Sequence, residues 1–436
     1  MAMRFYNRER ELSSLWKNRE MSKKGGAFTI ITGRRRIGKT ALILESEKDN
    51  RFLYFFVPRS TVSIICEQLT ESAYNDLGLR LFNTGSFRDI FEQLMQYGVK
   101  NNFTFIIDEF QELERADPAI MSYMQDLWDR YKSESKVNLI VCGSVYSMMI
   151  RIFEDYKAPL YGRATSKFNV GPFGPGVLKT ILKEHNSDYK ADDLLFLYMV
   201  TGGVPKYIEL LMDAGAVRYD DMLDLVCAHD SKFITEGKDL LISEFGREYG
   251  TYFSVLQMIA GGKNTLREIS EAVGKEAGSY LDLLEKEYGL IKKNRPLFSK
   301  QNSRDIRWKI SDNYLRFYFK FIYGNQSLVE AKRYDRLKEK ISSEYAQYSG
   351  SLLEDYFREK IAEEEDFTDI GSYWDRKGQN EINIITVNVS NKTATVAEVK
   401  RNPNKADVNE LKRRSDNISE LKEYDIEYRI LSLDNM

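Results

Sequence analysis

Residues 27–44, AFTIITGRRRIGKTALIL, decide the fold. The apolar, β-branched run from Ala27 to Thr32 predicts a short strand, and the pattern from Lys39 onward predicts a helix. Between them Gly33, Arg34, Arg35, Arg36, Ile37, Gly38, Lys39 and Thr40 fit the phosphate-loop pattern G-x-x-x-x-G-K-[ST] in full. The glycines let the backbone turn tightly enough for consecutive N–H groups to face phosphate oxygens. The helix that follows adds its positive end. Lys39 is expected between the β- and γ-phosphates, and the Thr40 hydroxyl on Mg²⁺. A strand before and a helix after are the context that such a loop requires.

Moving outward, FYNRERELSSLWKNRE (5–20) is expected to be helical after Asn7, its candidate cap, with Leu12, Leu15 and Trp16 on one face. It is either an ordinary amphipathic helix or a wall of the adenine pocket. RFLYFFV (51–57) reads as a strand covered on both faces, and a helix is expected over 61–78. NFTFIIDEF (102–110) is a strand with adjacent acids, Asp108 and Glu109, at its carboxyl end, the ligand-binding edge of an open parallel sheet. Asp108 is expected to support Mg²⁺ through the metal's water shell, and Glu109 to polarise the attacking water. NLIVCGS (138–144) is a further buried strand, and Ser144 either touches the γ-phosphate or the attacking water, or only forms a turn. Arg163, in PLYGRAT (159–165), precedes the expected strand KFNVGPF (167–173). It supplies transition-state charge, in cis or from a neighbouring subunit, or it is a solvated surface residue. Apolar strands separated by helices after the first strand–loop–helix mean a three-layer α/β domain with a parallel sheet.

The chain has 436 residues, room for about three domains, with 42% hydrophobic and 30% charged residues. A net charge of −2 excludes a polycation, so any nucleic-acid contact must come from a local basic face. Three separated cysteines (Cys66, Cys142, Cys227) and two histidines (His185, His229) exclude a zinc finger or a disulfide scaffold. With no apolar signal region and no run of about 18–20 apolar residues, the expectation is a cytoplasmic protein with reduced thiols and no membrane partner.

From about 176 the pattern turns helical: GVLKTILKEH, DDLLFLYMV and TGGVPKYIELLMDAG, punctuated by Gly202, Gly203 and Pro205. Within 247–312, YFSVLQMIAGG, TLREISEAVG and EAGSYLDLLEKEYGLI predict three helices, the second capped by Thr265 with Glu268 completing a capping box. KKNRPLF and DIRWKISD then predict two short strands, which makes a helix-turn-helix order with a wing. Asp282, Glu285 and Glu287 on the third helix suit phosphate contact poorly, so DNA reading and a packing role both stand. A helical, strongly aromatic stretch (YLRFYFKF) links this part to GSLLEDYFREKI (350–361), a helix bearing Glu354. GQNEINIITV and TATVAEVKR predict two strands joined by SNK. Alternation puts Glu381 with Asn383, and Glu398 with Lys400, on one sheet surface, with Ile382, Ile384 and Val399 pointing away. These residues either hold a divalent ion for phosphodiester attack or are a polar outer face. The basic tail (Lys400, Arg401, Lys405, Lys412, Arg413, Arg414) either tracks a nucleic-acid backbone or is a solvated helix.

FYNRERELSSL, TGRRRIGKT, FIIDEF, LIVCGS, LYGRAT and TGGVPKY, across roughly 4–240, resemble the archaeal-type P-loop ATPases of the STAND, AAA+-like class. That resemblance implies a nucleotide-dependent switch with a helical bundle and winged helix after the ATPase core, and places Gly203 and Pro205 near the nucleotide. The last hundred residues resemble the restriction-endonuclease-like PD-(D/E)xK class. Carried over, Glu354 matches the helical acid and Glu398 with Lys400 the E-x-K pair, while the second acid falls on Asn383. An amide binds Mg²⁺ far more weakly than a carboxylate, so either Glu381 substitutes for it or the fold serves for binding.

The expected organisation is an ATPase core (1–175), a helical bundle (176–245), a winged helix (246–312), a helical linker (313–349) and a nuclease-like α/β domain (350–436). The expected function is an ATP- and Mg²⁺-dependent hydrolysing switch that controls the domains after the core. The alternatives are an ATP-gated, metal-dependent nuclease acting on DNA or RNA, and a nucleotide-sensing module with little turnover. Expected partners beyond ATP are DNA or RNA, another protein, or further copies of the chain.

Overall fold

Helix α1 (Glu9–Ser22) leads into strand β1 (Ala27–Thr32), the phosphate loop and α2 (Lys39–Glu47). Then come β2 (Phe52–Phe56), α3 (Val62–Leu77), α4 (Phe87–Lys100) and β3 (Phe103–Asp108). The run ends with α5 (Gln111–Ala116), α6 (Ala119–Tyr131), β4 (Val137–Cys142), α7 (Tyr146–Phe153) and β5 (Ser166–Asn169). The computed structural model describes residues 4–245, 249–300, 303, 305–375 and 379–436. It divides into two units, Tyr6–Gly171 and one carrying Pro172–Met436. The expected boundary at 245/246 adjoins residues 246–248, outside the described residues.

In the first unit the five strands form one parallel sheet in the order β2–β3–β4–β1–β5. Every residue of β1, β3 and β4 is buried, because helices cover both faces of these central strands. Strand β2 departs from expectation. It is an edge strand in which Leu53 and Phe55 are buried while Phe56 is 54% exposed. Its free edge is partly closed by Asp76, whose Oδ2 accepts from the Tyr54 N–H at 3.0 Å. The cap of α1 also differs. Asn7 and Arg8 both take left-handed backbone angles (φ 56° and 87°), and no side chain caps the helix. Arg8 instead donates to the Gly171 carbonyl at 2.6 Å. Trp16 is exposed, and the buried face of α1 is Leu12, Leu15, Asn18 and Ser22.

The second unit begins with α8 (Pro175–His185), α9 (Ala191–Thr201), α10 (Pro205–Asp213), α11 (Tyr219–Val226) and α12 (Lys232–Phe245). From Asp193 to Thr201 every residue of α9 is buried, so the other helices pack around it. Gly203 has φ 74°, and a Cβ there would lie 2.1 Å from the Phe173 carbonyl, so only glycine fits this turn. Next come α13 (Tyr249–Ala260), α14 (Leu266–Val273), α15 (Gly278–Lys286) and an antiparallel pair, β6 (Ile291–Asn294) and β7 (Arg307–Ile310). The Thr265–Glu268 capping box forms as read.

After β7 run α16 (Asn313–Phe317), a π-helical turn (Tyr318–Ile322), α17 (Gln326–Glu330) and α18 (Tyr334–Glu364). The expected boundary at Gly350 falls inside α18, which is one helix of 31 residues. Its buried stripe of Leu337, Ile341, Tyr345, Ser349, Leu352, Leu353 and Tyr356 passes Gly350 without a break. That burial outweighs the roughly 1 kcal/mol a mid-helix glycine costs. Strands β8 (Asp369–Trp374), β9 (Glu381–Asn388) and β10 (Thr393–Val399), helix α19 (Val408–Asp416) and strand β11 (Asp425–Leu431) complete the chain. The sheet order is β11–β10–β9–β8, antiparallel except for the parallel β10–β11 pair. No described helix is long and apolar enough to cross a membrane.

Candidate functional site

The carboxyl ends of β1, β3 and β4 meet at one edge of the first sheet, since these strands are parallel neighbours in the order β3–β4–β1. The phosphate loop leaves β1 there. Gly33 has φ 148°, and a Cβ would come 2.6 Å from the Val170 carbonyl, which explains the first glycine. Gly38 (φ 90°) precedes α2, and no side chain caps that helix, so its first N–H groups face the loop interior. Lys39 is buried, and its ammonium donates to the Gly33 and Arg34 carbonyls at 2.8 and 3.0 Å. Burial pushes its pKa down, opposed by the charges of Glu109 and Asp108 among its neighbours. Of the three loop arginines, Arg35 is exposed and Arg34 and Arg36 are half-buried.

The structure brings Thr40 and Asp108 together across 68 residues of sequence. The Thr40 hydroxyl donates to Asp108 Oδ2 at 2.7 Å. Three further donors hold the same carboxylate: the Tyr54 phenol (2.9 Å, Oδ2), the Cys142 thiol (2.9 Å, Oδ1) and the Glu109 N–H (2.9 Å, Oδ1). Burial and Asp108 push the phenol and the thiol up, so both stay protonated donors. A hydroxyl bonded to a buried carboxylate beside a phosphate loop is a hard-oxygen set suited to Mg²⁺, with phosphate and water oxygens completing the shell.

Glu109 takes a left-handed backbone angle, φ 56°, which turns the chain out of β3. Its Oε2 accepts from the Ser144 hydroxyl at 2.8 Å and from the Gln111 amide. Ser144 therefore acts on the acid rather than standing alone at a turn. Sequence reasoning missed Tyr54, Gln111 and Cys142. Tyr54 and Cys142 become visible only once the strand order puts β2 and β4 on either side of β3, and Gln111 only once the turn at Glu109 is known.

Arg163 is not brought to this site. Its guanidinium pairs with Asp129 (2.9 Å) and donates to the Tyr161 carbonyl. Nearby, Thr165 N–H donates to the Phe28 carbonyl at 2.7 Å, near the amino end of β1. Roughly 16 Å of strand separates that point from the loop. The cause is topological: β5 runs parallel to β1, so a residue just before β5 lies at the edge opposite the loop.

The C-terminal candidates are also not brought together. Gly371 pairs with Ile385 and Tyr373 with Ile382, so β9 carries one extra residue there. This bulge shifts the alternation. Glu381 pairs across from Trp374 and, with Glu354, lines a cavity of about 470 Å³ shared with Lys309, Arg316 and Arg358. Glu398 instead shares its side of β10 with Ala394 and Val396, which pack with Leu411 of α19. It is buried against Arg414 of that helix (2.7 Å) and Lys400 (3.0 Å). Asn383 Oδ1 accepts the Val399 N–H at 2.9 Å. Hence Glu354 and Glu381 face one side and Glu398 and Lys400 the other. Among the described residues no group of three His, Cys, Asp or Glu is placed to hold a metal ion. Beside the cavity, burial pushes the Asp355 carboxyl up, but Lys309, Arg316 and Arg358 outweigh it and hold it well below the usual range. Burial dominates at Glu354, pushed up to about 7.

Residues 5–211 match an ATPase domain found predominantly in Archaea, and residues 318–411 match a family of archaeal and bacterial proteins of unknown function. Among solved structures, the Walker-type ATPase paby2304 of Pyrococcus abyssi is similar in fold, with a TM-score of 0.55 and 19% identity over 72% of this chain and 96% of that one. The uncharacterized protein MJECL04 of Methanocaldococcus jannaschii is 30% identical over 417 residues, 91% of this chain and 87% of its own length. A relationship of that extent, joined to the matched ATPase domain, places the chain: it belongs to the archaeal-type P-loop ATPases, which bind and hydrolyse ATP.

Proposed function

We propose that the chain is a slowly hydrolysing, Mg²⁺-dependent ATP switch, and that the Thr40–Asp108 bond of 2.7 Å is the observation that carries this reading. Loop N–H groups from Gly33 to Thr40 and the N-terminus of α2 bind the phosphates, with Lys39 between the β- and γ-groups. Thr40 would hold Mg²⁺ through a hydroxyl lone pair, with Asp108 accepting the hydroxyl proton, and the ion would supply charge neutralisation across the phosphate oxygens. Glu109 takes the proton of the attacking water. Ser144 and Gln111 both bond its Oε2, which leaves Oε1 as the oxygen that receives the proton. Water attacks the γ-phosphorus, the bond to the β-bridging oxygen breaks, and ADP and phosphate are the products.

In this reading the second unit receives the signal. We read α13 to β7 as a winged helix that packs against a partner rather than reading DNA bases. In support, Lys293 of β6 is paired with Glu285 and Asp282 of α15, at 2.5 and 3.5 Å, so this basic side chain is already neutralised. The C-terminal sheet serves binding rather than cleavage, since its acids face opposite sides. Its partner is a protein, a nucleic acid or another copy of the chain. The test is Lys39→Ala, which removes the buried ammonium. ATP affinity by calorimetry should fall by about 100-fold or more, with the melting temperature retained. ATP binding at wild-type strength would refute the assignment.

A further inference from the structure

We infer that Tyr54 and Cys142 are positioning residues that aim Asp108, and through it Thr40, at the metal of the bound nucleotide. The inference rests on the ATP·Mg²⁺ reading above and assigns two residues that the phosphate-loop pattern does not contain. Asp108 ends β3, and its neighbours on either side are β2 and β4. Tyr54 comes from β2 and lies two residues before Phe56, the partner of Asp108 in the ladder. Cys142 ends β4, one residue past Val141, the partner of Ile107. One donor therefore reaches the carboxylate from each flanking strand, the phenol on Oδ2 and the thiol on Oδ1.

This geometry has a consequence for the metal. The terminal torsion of an aspartate is soft, so a carboxylate at a strand end turns freely unless both oxygens are held. Here each oxygen takes two donors, which accounts for the four lone-pair sites of the group. Thr40 shares Oδ2 with Tyr54. A threonine hydroxyl has one proton and two lone pairs. While its proton stays on Asp108, the direction of the carboxylate sets the direction of the lone pair that would face the metal. All four of these donors are neutral groups, so neutral donors do the orienting. The Glu109 N–H is backbone, and proline, which would remove it, cannot take the φ of 56° there, which leaves Tyr54 and Cys142 as the two side chains to test.

The experiment titrates a fluorescent ATP analogue against full-length protein in EDTA and then in Mg²⁺. Wild type should bind more tightly with Mg²⁺. Tyr54→Phe should keep the EDTA affinity, lose about 10-fold of the Mg²⁺ enhancement and require about 10-fold more Mg²⁺ for half its effect. Cys142→Ala should behave likewise, and Cys142→Ser, which restores a donor, should recover the wild-type response. Melting temperatures without nucleotide check folding, and if one variant fails to fold the other position decides. Equal enhancement in Tyr54→Phe, Cys142→Ala and wild type overturns the inference and leaves the ATP reading intact. A matching loss in EDTA makes the residues merely structural and also overturns it. If wild type shows no enhancement, the metal reading itself fails and the inference falls with it.

Discussion

Replacing Glu109 by glutamine removes the base and little else. The side chain keeps its length, and its amide oxygen can take the place of Oε2 and still accept from Ser144 and Gln111. The left-handed backbone at residue 109 carries roughly 1–2 kcal/mol of strain with either side chain, so stability should not move. None of the phosphate contacts assigned to Gly33, Lys39 and Thr40 involves Glu109. A positioned general base contributes about 10²–10⁴ in rate, or roughly 3–5 kcal/mol of barrier. Phosphate release in a single turnover should therefore fall at least about 100-fold, while the dissociation constant for ATP changes by less than about 3-fold. Ser144→Ala should cost less, about 10-fold in rate, because it removes one hydrogen bond to an ionised acceptor. Wild-type turnover in Glu109→Gln, or loss of rate and binding by the same factor, would refute the assignment.

Arg163→Ala should leave turnover unchanged and cost at most about 1 kcal/mol of stability, since its ion pair with Asp129 is partly exposed. A rate loss of 10³ or more would mean that a neighbouring copy uses it. Glu354→Gln should stabilise increasingly as pH rises. The folded carboxyl is pushed up to about 7, against about 4.3 when unfolded, so wild type loses stability as pH rises between these values. The gain above pH 7 should be about 1–3 kcal/mol in denaturant titrations, nearly absent at pH 4, and parallel curves would contradict it. Asn383→Asp should not create a nuclease, because the new carboxylate would sit on the Val399 N–H while Glu354 and Glu398 stay on opposite sides of the sheet. Mg²⁺-dependent nicking of a plasmid by that variant, absent from wild type, would show that the sheet face had been misassigned.

The phosphate site was readable because its chemistry is local in sequence. Gly33 to Thr40 are contiguous, and β1 and α2 follow directly from apolar runs. Asp108 and Glu109 were readable for a related reason: a strand's last residue lies at the ligand edge whatever the strand order. Strand order itself was not readable. RFLYFFV looks doubly covered, yet it is the edge strand β2, because aromatic residues on its outer side add hydrophobicity without burial. Tyr54 was lost in that misreading, and with it one of the four bonds on Asp108. Gln111 and Cys142 carry no pattern of their own, and their roles come from neighbours about 30 residues or more away, or from the turn at Glu109.

Arg163 and the C-terminal acids were misplaced for two different reasons, and only one was avoidable. Parallel strands all start at the same edge, so an arginine three residues before β5 had to lie away from a loop that follows β1. Strand direction alone excluded a role in cis. The face of Glu381 could not be reached this way. Alternation holds only while pairing is unbroken, and one extra residue between Ile382 and Ile385 is enough to turn every side chain before it to the other side. Nothing in EINIITV announces that residue, since Ile382 and Ile385 are both buried with the α19 core and Ile384 is buried opposite. The bulge also explains why an amide suits position 383: it sits where the ladder is interrupted and must accept an N–H that β9's backbone no longer meets. Asn383 is then a backbone substitute, its Oδ1 taking the Val399 N–H that the interrupted ladder leaves.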